Sequence, residues 1–144
     1  MDAVPRDPEG YAAHFTEDGS FTDNGVTLTP RSKIRALMQA AQLASADQPP
    51  LTGTRHLQFN SVIEIDGDKA AAKSQVVVLE LNAEQGWRIR GSGLYTDEIV
   101  REASGEWKFK SRIVTWFKDL GPDPLNPGLS ELYASFFQAI MAQR

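Results

Sequence analysis

The sequence predicts an α+β domain, and three observations predict it. Two runs rich in β-branched and aromatic residues, 94–101 and 107–117, flank a short polar break at 102–106 that contains Gly105, the pattern of a β-hairpin. In the second run Trp107, Phe109, Ser111, Ile113 and Thr115 alternate with Lys108, Lys110, Arg112, Val114 and Trp116, a period of two that marks a strand with unlike faces. Helical patterns stand at both ends of the chain, and one of them has to cover the apolar side of that sheet.

In chain order, Asp7 can cap a helix that carries Pro8 at its first position, with Tyr11, Ala12 and Phe15 as a short apolar stripe and a stop near Asp18 and Gly19. Residues 20–22 form a brief strand before the turn Asp23-Asn24-Gly25, and 26–28 pair back. Thr29-Pro30 opens a second helix whose Ile34, Leu37, Met38 and Ala41 share one face, and Pro49 and Pro50 end it. Strands over 57–65 and 70–81 are joined by a tight turn at Asp66-Gly67, and 87–90 lead into the hairpin. Gly121, Pro122, Pro124 and Pro127 mark a loop. After it Leu129, Leu132, Tyr133, Phe136, Phe137 and Ile140 make a full amphipathic stripe, with Asn126-Pro127 or Ser130 as the start signal. No repeat or linker divides the chain, so residues 1–144 are expected to form a single domain.

Composition narrows the function. The longest apolar run, 76–79, is too short to span a bilayer, and residues 1–9 lack the apolar core of a signal peptide, so a cytoplasmic protein with no membrane partner is expected. The absence of cysteine removes disulfides and thiolate chemistry, and two histidines leave little for zinc. A net charge of −4 argues against nucleic acid, which asks for a basic surface. The expected partner is an apolar small molecule.

Three stretches, YAAHFTEDGSF near the start, RHLQFNSVIEIDGDKAAAKS in the middle and GLYTDEIVREASGEWKFKSR towards the end, together resemble the SnoaL-like branch of the NTF2-like superfamily over residues 7–116. The resemblance implies a cone-shaped α+β fold in which a curved antiparallel sheet and about three helices enclose a pocket, with homodimers common. Its members include polyketide cyclases, scytalone dehydratase, bile-acid dehydratases, ketosteroid isomerase, limonene epoxide hydrolase and non-enzymatic binders, so the motifs mark fold better than function. The family's long first helix is missing before Asp7. Written ahead of residue 7, however, the carboxyl end LYASFFQAIMAQR continues into DPEGYAAHFTEDG like a family N-terminus. The expectation is a circular permutation in which 129–143 fills the first-helix groove, in its own chain or a partner's, against the alternative of an added helix at a dimer interface.

The resemblance also nominates residues. His56 sits where the dehydratases place a histidine, and an imidazole titrating near neutrality suits proton transfer; the plainer alternative is a strand-edge histidine bonded to backbone. The dehydratase aspartate falls near Met141, with Tyr133 the nearest helix tyrosine, and Gly91, Ser92 and Gly93 occupy the region of a second histidine. Asp97 and Asp23 are the carboxylates that can substitute, set against pairing with Arg112 and turn capping respectively. Tyr95 or Tyr133 can donate a hydrogen bond to a developing enolate, or be core aromatics. Trp87, Trp107 and Trp116, with Phe137 and Met141, can wall a pocket, while His14 and the basic residues of 101–118 suit a solvated face. The function expected is a cofactor-independent enzyme acting by proton transfer on an apolar cyclic or polyketide-like molecule. The alternative is a non-catalytic binding or dimerisation module; epoxide hydrolysis lacks its two acids around an arginine.

Overall fold

In the computed structural model, which describes residues 7–44, 53–82, 84–117 and 129–143, the hairpin becomes the middle of a curved, unclosed six-stranded sheet. The elements run α1 (Pro8–Ala13), β1 (Phe15–Asp23), β2 (Val26–Leu28), α2 (Arg31–Ala44), β3 (Gly53–Asp66), β4 (Lys69–Asn82), β5 (Gly86–Arg101), β6 (Trp107–Trp116) and α3 (Leu129–Met141). The sheet order is β2-β1-β6-β5-β4-β3, antiparallel except where β1 runs parallel to β6. No helix among the described residues is long and apolar enough to cross a membrane.

Asp7 caps α1, its Oδ1 accepting from the Gly10 N–H at 2.9 Å, with Pro8 in the first turn. The helix ends at Ala13 rather than near Gly19, because β6 claims the carbonyls that would continue it. Phe109 N–H donates to His14 O at 2.8 Å and Lys108 Nζ to Ala13 O at 2.9 Å. From Phe15 onward the chain is strand, and Phe15 is fully buried. The turn after β1 uses left-handed backbone at Asn24 (φ 50°) and Gly25 (φ 77°), the pairing a two-residue hairpin loop requires. In α2, Ile34, Leu37 and Ala41 are buried as their spacing predicts; each of the two larger side chains contributes about 1.5–3 kcal/mol of burial. Pro49, Pro50 and the loop at 121–127 lie outside the described residues.

Strand parity decides which side chains face the helices. Ala72, Ser74, Val76 and Val78 of β4 are buried, and their ladder partners share that inner face: Gln58 and His56 on β3, Tyr95 and Asp97 on β5, then Arg112 and Val114 on β6 and Asp23 on β1. Bulges in the β3–β4, β4–β5 and β5–β6 ladders shift the alternation. Lys110 is an extra residue between Phe109 and Ser111, so Phe109 joins Arg112 and Val114 inside instead of Ser111 and Ile113 outside. Arg90 does the same between Ile89 and Gly91, and Asn60, at φ 51°, lies in the bulge between Phe59 and Val62.

The core lies between the inner face and the helices, gathering Phe15, Phe21, Leu28, Ile34, Leu37, Val76, Tyr95, Val114, Phe137 and Ile140. Phe137 and Ile140 come from α3, which packs on α2 and β2 and sets the Phe137 ring 6.2 Å from that of Phe21. The outer face keeps Leu57, Phe59, Val62, Trp87, Ile89, Leu94 and Ile113 exposed.

Two glycines on β5 differ sharply in the room they have. A Cβ on Gly93 would meet Thr115 O at 2.4 Å, whereas one on Gly91 would meet nothing within 4 Å. Gly93→Ala is therefore expected to destabilise the fold by about 1–3 kcal/mol in urea denaturation, as overpacking does, while Gly91→Ala leaves the midpoint nearly unchanged.

Candidate functional site

The inner face is apolar except for a few polar groups, and these converge around Arg112. Its Nε donates to Asp97 Oδ1 at 2.9 Å and its Nη2 to Asp97 Oδ2 at 2.8 Å, a bidentate pair with both side chains nearly removed from solvent. Nη2 also reaches Gln58 Oε1 at 3.4 Å, and Gln58 Nε2 donates to Ser74 Oγ at 2.8 Å. The guanidinium lies between two rings, 4.2 Å from the Tyr95 centroid and 4.1 Å from that of Phe109. Tyr11, from α1, faces the same cation. Burial raises its phenol above the ordinary value and the charge of Arg112 pulls it part of the way back.

Tyr95 is 9% exposed, and among the described residues its hydroxyl has no hydrogen-bond partner. Burial, with Tyr11 adding to it, pushes that phenol up to about 12, so it remains a donor throughout the neutral range. In the same ladder row, beyond Val114, stands a second polar point. Asp23 Oδ1 accepts from Trp116 Nε1 at 2.8 Å, and burial raises the carboxyl above its ordinary value, with the indole hydrogen bond opposing the shift.

The nominated residues are not brought together. His56 belongs to the inner face by register but sits on the exposed edge strand β3. Its partner on β4 is Val78 whereas that of Asp97 is Ala72, six residues apart or about 20 Å along the strand, so they do not form one acid–base unit. Asp97 has both oxygens committed to Arg112 and serves to hold that cation. Trp87 stands on the outer face with Arg55 5.9 Å over its ring, and so walls no pocket: its partner Leu81 is one residue out of step with the inner-facing Glu80. Met141, at the end of α3, is 48% exposed and does not belong to the buried core. Tyr95, Trp116 and Phe137 do lie inside. Tyr133 lies in α3, but its side chain is outside the described residues.

Tyr11, Gln58 and Ser74 escaped sequence reasoning. The signal for two of them was present: Gln58 keeps step with His56, and Ser74 interrupts a buried apolar strand. An ion pair further along the same face, Arg88 Nη2 to Glu80 Oε2 at 2.5 Å, was also missed. A groove of about 240 Å³ between α1 and α2 is a weaker candidate, because its charges answer each other, Arg31 with Glu17 and Arg35 with Glu9. Among the described residues no three His, Asp or Glu side chains group as metal ligands.

A model of the SnoaL-like domain matches residues 2–113. No curated protein matches the chain significantly. Among solved structures, a variant of Rv3472, a protein of unknown function from Mycobacterium tuberculosis, is 26% identical, with 94% of this chain and 77% of that one covered and a TM-score of 0.70. ActVI-ORFA of Streptomyces coelicolor is 31% identical over 77% of this chain and 83% of its own, with a TM-score of 0.66. A protein from Novosphingobium aromaticivorans proposed to be a scytalone dehydratase is 25% identical over 76% and 70%, with a TM-score of 0.60.

Two measurements test the electrostatics. Removing one partner of the buried pair, by Asp97→Asn or Arg112→Met, is expected to cost about 3–5 kcal/mol in urea denaturation, while replacing both by apolar residues costs less. Phenolate absorbance should show Tyr95 ionising only near pH 12; because its folded value lies above the ordinary 10.0, stability should fall as pH rises between those two values.

Proposed function

We propose, from the premise that this chain belongs to the SnoaL-like domain family, that it is a cofactor-independent enzyme acting on an apolar cyclic or polyketide-like small molecule. Its chemistry would be proton transfer leading to dehydration, isomerisation, cyclisation or rearrangement. The observation that carries this reading is the polar cluster on an otherwise apolar inner face, where Tyr95, 9% exposed, lies against the Arg112 guanidinium that Asp97 holds. A few convergent polar groups set in an apolar wall are the pattern of a small-molecule site, and the Tyr95 hydroxyl is a donor that a substrate oxygen can meet. Stacking on Arg112 fixes the ring, so the donor waits in position.

Similarity to a protein proposed to be a scytalone dehydratase supports dehydration as one of these outcomes. In this reading α3 closes the wide end of the cone, the place of the first helix in a permuted chain, which its Phe137 and Ile140 support by entering the core. A non-catalytic binding module is the second reading, and the exposure of His56 together with the commitment of Asp97 to Arg112 favours it.

A panel of aromatic hydroxyketones, scored by thermal shift and by mass-spectrometric turnover, separates the two. A ligand at 100 times its Kd should add about 2.7 kcal/mol of stability in either case, and only an enzyme converts it. Stabilisation without conversion would move the assignment to the binder.

The outer face carries the dimer in this proposal, since Leu57, Phe59, Val62, Trp87, Ile89, Leu94 and Ile113 all expose apolar side chains there. Light scattering is expected to give a dimer for the wild-type chain and a monomer for Ile89→Lys/Ile113→Lys. A wild-type monomer at micromolar concentration would remove this part of the reading.

A further inference from the structure

We propose that a cleft at the end of the sheet that carries the β3–β4 turn is a second binding site, which takes a small organic cation with an apolar body, an amine on an aromatic ring or an alkyl chain. The site lies apart from the core, so the inference is independent of the enzymatic reading above. The cleft measures about 720 Å³, a size that suits a small molecule. Two ladder rows supply much of its lining, Glu64 with Ala71 and Glu98, and Asp66 with Lys69 and Val100, across β3, β4 and β5.

Ala71 is one residue out of step with the buried Ala72, so its row belongs to the outer face, where Glu64, Ala71 and Glu98 are all exposed. Glu64 and Glu98 stand on either side of the Ala71 methyl, two strand spacings or about 10 Å apart at the backbone. Both carboxylates can lean towards one cation held above that methyl. Among the described residues neither of them, nor Asp66, has a hydrogen bond or an ion pair, whereas Lys110 on the cleft wall is already committed to Asp18. Three acids and a single uncommitted lysine leave the lining negative, and its complement is a positive charge.

The rest of the lining decides what carries that charge. Ile65, 67% exposed, and Ile99 line the cleft with Val100 and Ala71, and none of these side chains offers a hydrogen bond. A hydrated metal ion would leave this apolar surface wet, and among the described residues no three acids or histidines group closely enough to hold a bare one. An amine on an apolar body answers both features together, its ammonium between Glu64 and Glu98 and its ring or chain over the aliphatic side chains.

The test titrates the full-length, nitrogen-labelled chain with 1-naphthylmethylamine and with its uncharged counterpart 1-naphthalenemethanol, followed by amide NMR. The amine is expected to shift the amides of Ala71 and Glu98 and to bind more weakly as salt screens the carboxylates, while the alcohol binds about tenfold more weakly at low salt. Glu64→Gln/Glu98→Gln should weaken the amine by about the same factor and leave the alcohol unaffected. Ala71→Leu, a change at an exposed position, should fill the floor and abolish the shifts for both probes while the amide spectrum stays that of a folded chain. Absence of amine binding at millimolar concentration overturns the site. So does equal affinity for amine and alcohol, or undiminished amine binding in the double variant. Shifts centred on Tyr95 and Phe137 instead of Ala71 and Glu98 overturn it as well, by moving the ligand to the inner face, and leave the enzymatic reading standing.

Discussion

The buried guanidinium of Arg112 is the constraint on which the rest of the architecture depends. A cation removed from water costs several kcal/mol, and only a full set of partners offsets that cost. Those partners are drawn from across the molecule: Asp97 on β5, Gln58 on β3, and through Gln58 the hydroxyl of Ser74 on β4, with Tyr95 and Phe109 on the two faces of the plane. Tyr11 brings in α1. Four strands and a helix are thus tied to one planar group, and a slip of one residue in β5 or β6 would turn Asp97 or Arg112 to the outside. The ion pair specifies register more than it adds stability.

Register in turn determines what the interior contains. The extra residue at Lys110 brings Phe109 beneath Arg112, and the even positions of β4 carry the buried row from Ala72 to Val78. Asp23 ends its strand just before the left-handed turn at Asn24 and Gly25, and its Oδ1 is held by the Trp116 indole. Helices α2 and α3 close over this wall with Leu37, Phe137 and Ile140, which lowers the local dielectric and gives the polar groups inside their unusual proton affinities.

Much of this was legible beforehand because it follows from local rules. The Asp7 cap, the α2 stripe through Ile34, Leu37 and Ala41, and the turns at Asn24-Gly25 and Asp66-Gly67 all express chemistry within a few residues. The family resemblance supplied the curved sheet. What could not be read depends on partners distant in sequence. α1 is short because β6 takes the carbonyls of Ala13 and His14. Phe109 changes face because of a bulge that no composition marks, and Trp87 turns outward by parity alone. His56 matched a motif, yet the strand that bears it became the edge of the sheet. For Asp23 the sequence offered a substitute carboxylate set against a turn cap; its burial appears once β6 lies alongside with Trp116.

The bulge at Asn60 has a consequence for the solution behaviour of the chain. β3 is the last strand of the sheet, and from Phe59 to Ile65 it exposes Val62 and Ile63 as well, so an uninterrupted strand here would offer a template on which further chains could stack into fibrils. The left-handed kink breaks the row of backbone donors and acceptors midway and bends the strand away from a flat edge. Asn60, fastened to Gln75 by a 2.7 Å hydrogen bond, thereby blunts the β3 border of the sheet against edge-to-edge pairing.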